Sequence, residues 1–249
     1  MIEKSDSTTR TSESNNGSSE AGQRRRPVRS FVLRAGRTTA AQQRALVELW
    51  PTYGIEYSPQ PLDLDAVFGR KATRMIEIGF GAGEALLTFA REHPQFDCLG
   101  IEVHRPGVGR LMLEAHAAQV QNLRIICHDA VEVLEHQIPP GSISVVHIFF
   151  PDPWPKKRHH KRRLIQPPFV ELLARVMHES AVLRLATDWG PYAEHMREVL
   201  DASAKFENAS RDGSGFIPRP EDRPLTKFER RGQRLGHDVW DLEYKRTRA

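Results

Sequence analysis

The feature that most restricts the fold of this 249-residue chain is a regular alternation of short apolar runs and amphipathic segments. The apolar runs predict strands at 74–79, 96–103, 123–127, 143–150 and 181–187. Helical periodicity between and after them predicts helices at 83–92, 107–119, 169–178 and 191–203. Strands and helices that alternate in this way favour an α/β domain with a mostly parallel sheet flanked by helices.

The N-terminal part of the chain has a different character. Residues 1–27 are rich in Ser, Thr, Asn, Gly and Glu and almost free of apolar side chains, so they cannot offset the entropy of ordering. We therefore predict a disordered tail over 1–27 and a single folded domain over 28–249. Inside the domain, Thr39 to Gln42 resembles a capping box that begins a helix, and Pro51 is expected to end that helix.

Composition argues against several classes of protein. No apolar run approaches the roughly 20 residues that a membrane helix needs, and the N-terminus lacks the apolar segment of a secretory signal. Cys98 and Cys127 both lie in apolar stretches, which favours buried free thiols over a disulfide or a metal site. We therefore expect a cytoplasmic protein that binds neither a membrane nor a metal. We also expect a monomer.

Positive charge is clustered along the chain. The net charge is +4, and basic residues concentrate at 24–26, 156–163 and 227–234. Clustered cations favour a phosphate backbone, because each neutralised phosphate releases counterions. The densest cluster belongs to the stretch FFPDPWPKKRHHKRR at 149–163, in which Asp152 stands among prolines just ahead of the basic run. The charge predicts a nucleic-acid partner, and the carboxylate predicts a reactive site beside it.

Acidic residues close four of the five predicted strands. The first strand ends at Gly79, and the others end at Glu102, Asp129, Asp152 and Asp188. Ligands of open parallel sheets bind outside the carboxyl ends of the strands. We therefore expect these four carboxylates to meet at one edge of the sheet and to line a binding site.

The loop after the first predicted strand contains three glycines. It reads Glu77-Ile-Gly79-Phe-Gly81-Ala-Gly83-Glu84, in which a dinucleotide fingerprint would need glycine at position 84. The Gly-Lys-Ser/Thr sequence of a P-loop is also absent, so the loop does not look suited to phosphates. It matches the E/D-x-G-x-G-x-G loop of class I S-adenosylmethionine-dependent methyltransferases. That ligand carries an ammonium and a sulfonium but no phosphate, so nearby carboxylates favour its binding.

Two further acidic residues fit the same ligand. Glu102 lies where the second strand ends, and a carboxylate there can accept two hydrogen bonds from a ribose diol. Asp129 closes the third strand, where it can accept a hydrogen bond from an adenine amino group. The glycine loop and these two positions together predict a site for S-adenosyl-L-methionine.

At the level of motifs, the chain resembles the bacterial tRNA (guanine-N7)-methyltransferase family, which modifies guanine 46 in the variable loop. Four stretches carry the resemblance and together span residues 29 to about 245: 29–37, 77–83, 150–163 and 226–229. The Pro-Asp-Pro-Trp stretch with its basic run and the Thr-Lys-Phe-Glu stretch are specific to this family. The resemblance implies a Rossmann-like class I methyltransferase fold, S-adenosyl-L-methionine as cofactor and tRNA as partner.

The resemblance also implies roles for individual residues. Asp152 would be the catalytic residue. The cofactor would be bound by Glu77, Gly79, Gly81, Gly83, Glu102, Asp129 and Asp152. The substrate would be bound by Lys156, Asp188, Thr226, Lys227, Phe228 and Glu229. Broader RNA contacts would come from Arg158, His159, His160, Lys161, Arg162 and Arg163.

Guanine N7 methylation needs no base, because N7 carries a lone pair and no proton. Catalysis can then rest on positioning and on a carboxylate that faces the developing positive charge. We expect Asp152 to supply that carboxylate and to accept hydrogen bonds from guanine N1–H and its amino group. Phe150 or Trp154 is expected to stack on an extruded base, unless Trp154 serves only in packing. The Gly- and Pro-containing segment 213–224 is expected to be a mobile loop that brings 226–229 over the site.

Two alternatives remain open from the sequence. Pro-Asp-Pro-Trp is similar to the Asp/Asn-Pro-Pro-Tyr/Trp/Phe stretch of methyltransferases that act on exocyclic amino groups of adenine or cytosine. That stretch has two adjacent prolines, whereas here Asp152 is followed by Pro153 and then Trp154. The second alternative is a protein with this fold that binds RNA without catalysis. The first alternative predicts a methylated exocyclic amine in place of a methylated ring nitrogen. The second predicts RNA binding without methyl incorporation.

Overall fold

The computed structural model describes residues 29–31, 37–226, 229–230, 236 and 238–248. Its strands are β1 Gly54–Ile55, β2 Thr73–Ile78, β3 Phe96–Ile101, β4 Leu123–Ile126, β5 Ile143–Phe149, β6 Met177–Thr187, β7 Phe206–Asn208 and β8 Trp240–Arg246. They form one sheet in the order β1-β4-β3-β2-β5-β6-β8-β7. The strands β1 to β6 are parallel, and β8 pairs antiparallel with both β6 and β7. The predicted mostly parallel sheet is therefore confirmed.

The connections between strands are mostly helical. The helices are α1 Ala40–Glu48, α2 Trp50–Tyr53, α3 Leu64–Phe68, α4 Glu84–Glu92, α5 Arg105–Ala117, α6 Ala130–Glu132, α7 Pro167–Val176 and α8 Gly190–Asp201. A π-helical turn covers Val133–Gln137, and a 3₁₀-helix covers Lys157–Arg162. Among the described residues, no helix has the length and apolar character needed to cross a membrane.

Helix α1 begins as the sequence predicts. The Thr39 side chain accepts a hydrogen bond from the Gln42 N–H at 3.2 Å, and the Gln42 side chain accepts one from the Thr39 N–H at 2.9 Å. This reciprocal pair is a capping box, which satisfies two N–H groups that a helix start leaves without partners. Pro51 lies in the first turn of the short helix α2, where its missing N–H costs nothing.

The sheet is covered on both faces, so two separate hydrophobic layers hold the fold together. One layer, under α4 and α5, includes Met75, Phe89 and Leu111. The other layer, under α7 and α8, includes Phe169 and Tyr192. A sheet buried on both faces explains the almost continuous apolar runs of the central strands.

The observed elements differ from the predictions mainly at their ends and edges. Helix α7 ends at Val176, two residues before the predicted end, because Met177 already pairs with Ile143 of β5. The short elements β1, α3, α6 and β7 and the antiparallel β8 were not predicted. Their runs are short, or their pairing depends on distant strands. The predicted tail at 1–27 lies outside the described residues.

Candidate active site

Two adjoining cavities lie at the carboxyl edge of the central strands. The first, of about 310 Å³, is lined by Ile78, Glu102, Asp129 and Asp152 among others. The second, of about 380 Å³, is lined by Glu77, the glycine loop, Phe149 and Thr226 among others. Gly79 and Phe150 line both cavities. Of the four carboxylates predicted to meet at this edge, Glu102, Asp129 and Asp152 line the first cavity, whereas Asp188 lines neither of the two cavities.

The glycine loop adopts a backbone that few other residues can follow. Gly79, Gly81 and Gly83 have φ values of +73°, +56° and +82°. At Gly83, an added Cβ would also lie 2.7 Å from Leu111 of α5. At Gly107, in the first turn of α5, an added Cβ would lie 2.0 Å from the Gly81 carbonyl oxygen. Glycine is needed at these positions because the loop turns through the left-handed region and contacts α5 closely.

Glu102 fixes the shape of this loop. Its Oε2 accepts a hydrogen bond from the Gly81 N–H at 2.8 Å. Its Oε1 accepts from the N–H groups of Val103 and His104 at 2.7 and 2.9 Å. A carboxylate offers about four acceptor positions, so three bonds leave capacity for one more donor from the cavity. Glu102 therefore holds the loop in place and can still contact a ligand.

Glu77 is a buried carboxyl group at the wall of the second cavity. Its exposed fraction is 3%, and its Oε2 has no hydrogen-bond partner among the described residues. Burial, with a smaller contribution from Glu102, raises the pKa of Glu77 to about 8. On the neighbouring strand, Glu77 pairs in register with His147, whose burial lowers its pKa to about 3. A neutral imidazole cannot compensate Glu77, so a cation in the cavity would find an uncompensated acceptor.

Asp129 caps the helix that follows β4. Its Oδ1 accepts a hydrogen bond from the Val131 N–H at 3.0 Å, and burial raises its pKa. The adjacent His128 lines the first cavity and stacks on Tyr57, with ring centroids 3.7 Å apart. Asp129 therefore has both a capping role and a place in the cavity wall.

The turn that carries Asp152 is backbone-strained on both sides. Phe150 and Trp154 have φ values of +51° and +46°, which residues other than glycine rarely adopt. The Phe150 N–H donates to the Ala186 carbonyl at 2.7 Å, so the start of the turn is tied to β6. Asp152 itself is exposed at the mouth of the first cavity. Strain of this kind persists where the surroundings enforce it, and it is concentrated at functional sites.

The basic run forms the 3₁₀-helix next to this turn, and its members do not all face outward. Lys156, Arg158 and Lys161 are exposed, and His159 and His160 are partly exposed. These five residues, all predicted to bind substrate or RNA, are therefore accessible within one short segment. We call the exposed residues 156–158 and 161 the basic surface.

The last two arginines of the run are held by the protein itself. The Arg162 guanidinium lies 3.9 Å from the centroid of the Trp154 ring. Arg163 is only 4% exposed, and its Nε donates to the Pro153 carbonyl at 3.0 Å. Arg163 therefore stabilises the Asp152 turn, and the structure does not present its charge to a partner. Arg162 thus covers one face of the Trp154 indole, so this face packs against the protein.

A short N-terminal segment completes the wall of the first cavity. Ser30 and Phe31 line it, and the Trp154 indole N–H donates to the Ser30 carbonyl at 2.9 Å. Arg162 donates to the carbonyls of Arg29 and Phe31 at 3.2 and 3.1 Å. These residues open one of the four stretches that carry the family resemblance, although no individual role was predicted for them.

The two described residues of the segment 226–229 lie in different surroundings. Thr226 lines the second cavity. Glu229 is buried and forms a bidentate ion pair with Arg223 at 2.7 and 2.8 Å, so its carboxylate is directed toward the protein. Asp188 is half-buried just after β6. The predicted substrate residues Lys227 and Phe228 lie outside the described residues.

Arg223 and its second partner Asp241 were missed by sequence analysis. One signal was available: Thr226-x-x-Glu229 has the spacing of a capping box. The Glu229 N–H does donate to the Thr226 hydroxyl at 3.2 Å, as a helix start requires. The spacing indicates a local structure for the Thr-Lys-Phe-Glu stretch, but it does not reveal the distant arginine.

The sequence is similar to proteins of known name along most of its length. A family model described as a putative methyltransferase matches residues 71–242. A tRNA (guanine-N(7)-)-methyltransferase of Serratia proteamaculans (strain 568) is 55% identical over 227 residues, which cover 91% of this chain and 95% of the relative. One of the same name from Sodalis glossinidius (strain morsitans) is 56% identical over 228 residues, covering 92% and 95% respectively.

Solved structures share the architecture at low identity. The antibiotic-resistance methyltransferase Kmr matches with a TM-score of 0.53 and 15% identity, over 78% of this chain and 95% of that protein. The 16S rRNA methyltransferase KamB matches with a TM-score of 0.51 and 16% identity, over 87% and 97%. These likenesses concern the fold alone, and they confirm the predicted Rossmann-like class I methyltransferase fold.

Proposed function

Because this chain belongs to the tRNA (guanine-N7)-methyltransferase family, we propose that it transfers the methyl group of S-adenosyl-L-methionine to N7 of a guanine in tRNA. We assign the target to guanine 46 of the variable loop, and we place the reaction in the cytoplasm with the enzyme acting as a monomer. The observation that carries the proposal is that an acidic pocket, Asp152 and the adjoining basic surface lie at the carboxyl ends of the central strands.

The residues of the two cavities fit the methyl donor. When bound, S-adenosyl-L-methionine supplies an electrophilic methyl group on a sulfonium. Glu77 offers the donor's ammonium a buried acceptor that is otherwise without a partner. Glu102 has acceptor capacity left for a ribose hydroxyl, and Asp129 lines the same cavity for the adenine. The glycine loop adds backbone without side chains, which allows close approach of the donor.

Asp152 is the group best placed to act on the guanine. It is exposed at the mouth of the first cavity, where an incoming base meets the donor pocket. N7 attacks with its own lone pair, so Asp152 does not remove a proton. Its carboxylate accepts hydrogen bonds from N1–H and the amino group and faces the positive charge that develops on the purine. Fixed electrostatic groups of this kind are typically worth about 10²–10³ in rate.

The basic surface binds the phosphates of the tRNA. Its cations begin four positions after Asp152 in the chain, so phosphates beside the target nucleotide can contact them. These contacts supply affinity that does not depend on sequence. Asp188 and Thr226 complete the substrate side of the site, since Asp188 follows the strand next to β5 and Thr226 lines the second cavity.

The test is methyl transfer from labelled S-adenosyl-L-methionine to unmodified tRNA, with the product nucleosides identified by mass spectrometry. We expect 7-methylguanosine, and we expect its loss when guanine 46 of the tRNA is replaced by adenine. A methylated exocyclic amine would instead support an amino-methyltransferase. RNA binding without incorporation would refute catalysis altogether.

Replacement of the proposed catalytic residue refines the test. Asp152→Asn should lower the single-turnover rate by about 10²–10³, because it removes the negative charge and one of the two acceptor oxygens, while tRNA affinity stays within a few fold because the basic surface is kept. Asp65→Asn is the matched control, since Asp65 lies in α3 and pairs with Arg74 at the start of β2, away from the carboxyl ends of the strands. Equal rates for the Asp152 variant and the wild type would contradict the assignment.

A further inference from the structure

A buried ion cluster lies beside the second cavity. The side chains of Arg223, Glu229 and Asp241 are 2%, 1% and 5% exposed. Arg223 donates through Nη1 and Nη2 to the two oxygens of Glu229 at 2.7 and 2.8 Å. Its Nε lies 2.7 Å from Asp241 Oδ1, and its Nη2 donates to Asp241 Oδ2 at 3.0 Å. The planar fork of one arginine thus fixes two carboxylates from different parts of the chain.

The same guanidinium contacts the start of the Asp152 turn. Its Cζ lies 5.8 Å from the centroid of the Phe149 ring and 5.7 Å from that of Phe150. Both distances are within the range of cation–π attraction. Phe150 is one of the two residues of the turn with a positive φ. A strained residue keeps its conformation only when its surroundings hold it, and Arg223 is one of those surroundings.

The cluster also fixes Thr226. The N–H of Glu229 donates to the Thr226 hydroxyl at 3.2 Å, and the N–H of Arg230 donates to the Thr226 carbonyl at 2.9 Å. Because the Glu229 side chain is held by Arg223, the position of Thr226 depends on the same arginine. Thr226 and Phe150 line the same cavity. Arg223 therefore contacts or supports two walls of the site.

We propose that Arg223 is a positioning residue, which holds Thr226 and the Phe150–Asp152 turn in the arrangement needed for methyl transfer. In this role Arg223 touches neither the donor nor the guanine. It sets the rate of the chemical step more than the affinity for either ligand, because a misplacement of about 1 Å at a reacting centre can cost about 10² in rate. The effect on rate rests on the proposed function, whereas the effect on the two walls does not.

The proposal gives Glu229 a different part from the one that the family resemblance implies. If Glu229 bound the RNA directly, Glu229→Gln would weaken tRNA binding. A carboxylate that is 1% exposed and already bidentate with Arg223 leaves little for a ligand. We therefore expect Glu229→Gln to lower the transfer rate with little change in the dissociation constant of tRNA.

The decisive variant removes the charge cluster without leaving buried charges. Arg223→Met alone would strand two carboxylates in the interior and could unfold the protein. The triple variant Arg223→Met/Glu229→Gln/Asp241→Asn replaces all three groups by neutral side chains of similar size. We expect its single-turnover rate to fall by about 10², and its dissociation constants for S-adenosyl-L-methionine and tRNA to stay within about threefold.

Amide hydrogen exchange measures the stability of the two cavity walls independently of methyl transfer. In the triple variant, peptides covering 149–154 and 224–230 should exchange faster than in the wild type. A peptide covering the glycine loop at 77–86 should not change, because Glu102 holds that loop independently. This measurement decides the proposal even if the wild type fails to methylate tRNA, an outcome that would refute the proposed function alone.

Arg70→Met is the matched control for a general loss of stability. Arg70 forms an ion pair at 2.7 Å with Asp97. Asp97 is fully buried near the start of β3, at the end of the strand that is opposite to the two cavities. This variant should lower the thermal midpoint while the rate per folded molecule remains that of the wild type. The proposal is overturned if the folded triple variant keeps the wild-type rate, or if exchange in 149–154 and 224–230 is unaltered.

Discussion

Glu77 shows how the setting of a single residue decides its chemistry. Its pKa is raised from 4.5 to about 8 by burial, so the folded protein keeps the proton across a range in which the unfolded chain loses it. Its contribution to stability is therefore full below about pH 4.5 and is lost as the pH rises toward 8. We expect Glu77→Gln to gain stability relative to the wild type between pH 5 and pH 8, as measured by urea unfolding.

The raised pKa of Glu77 should also affect how the binding of S-adenosyl-L-methionine depends on pH. An ammonium beside Glu77 favours its ionised form, so binding should release a proton near neutral pH. The affinity of the wild type for S-adenosyl-L-methionine should then fall by up to about tenfold for each pH unit below 8. Glu77→Gln should bind more weakly and without this pH dependence. Titration calorimetry in two buffers of different ionisation enthalpy checks the proton release, and parallel curves for both proteins would contradict it.

Other residues of the site differ in how far the sequence could specify them. Glu102 and Asp129 were predictable because each closes an apolar strand, and strand ends meet at one edge of a parallel sheet. Arg163 was not, since a run of six basic residues and two histidines gives no indication of which cation turns inward. Only the tertiary contacts with Pro153 and Tyr192 decide that.

At the scale of elements, the basic run holds exposed cations that we propose bind tRNA and, at its end, a buried arginine that supports the fold. Arg158→Gln or Lys161→Gln should weaken tRNA binding and reduce the slope of log affinity against log salt by about one unit each, because each removes an exposed cation. Arg163→Gln should instead lower the thermal midpoint, since it breaks a buried hydrogen bond. Binding titrations at several salt concentrations, with melting curves, check both expectations. A normal melting curve for the Arg163 variant, with a reduced salt slope, would reverse the assignment.

Most of the helices and strands predicted from the sequence have a clear local apolar pattern, whereas the apolar faces of α1 and α5 are weak and α1 is indicated mainly by its capping box. The strands β2 to β6 carry long apolar runs, and α4 and α7 have one clearly apolar face. Strand β8 has a detectable alternation, with Leu242 and Tyr244 fully buried. Nothing local, however, indicates that it pairs antiparallel with β6. That choice depends on contacts across more than 50 residues of sequence, such as the pairing of Arg184 with Glu243.

At the scale of the whole molecule, the proposed division into a tail and a domain can be tested by truncation. A chain that begins at residue 28 should melt and methylate as the full chain does. A chain that begins at residue 38 should bind S-adenosyl-L-methionine about tenfold more weakly, since Ser30 and the half-buried Phe31 are removed from the cavity wall and a loss of about 1.4 kcal/mol of apolar contact corresponds to a factor of ten. Unchanged donor binding in the shorter chain would show that this wall is dispensable.

The position of β8 has a consequence for how the protein is made. This strand comes last in the chain, yet it lies inside the sheet between β6 and β7, and it brings Asp241 to the buried cluster. During translation, the earlier strands can pair as they leave the ribosome, but the gap beside β6 stays open until residues 240–246 emerge. A nascent chain that stalls before this point would expose the edge of β6 to other chains. Its Arg223 would also lack the partner Asp241. Activity should therefore appear only after synthesis of the last strand.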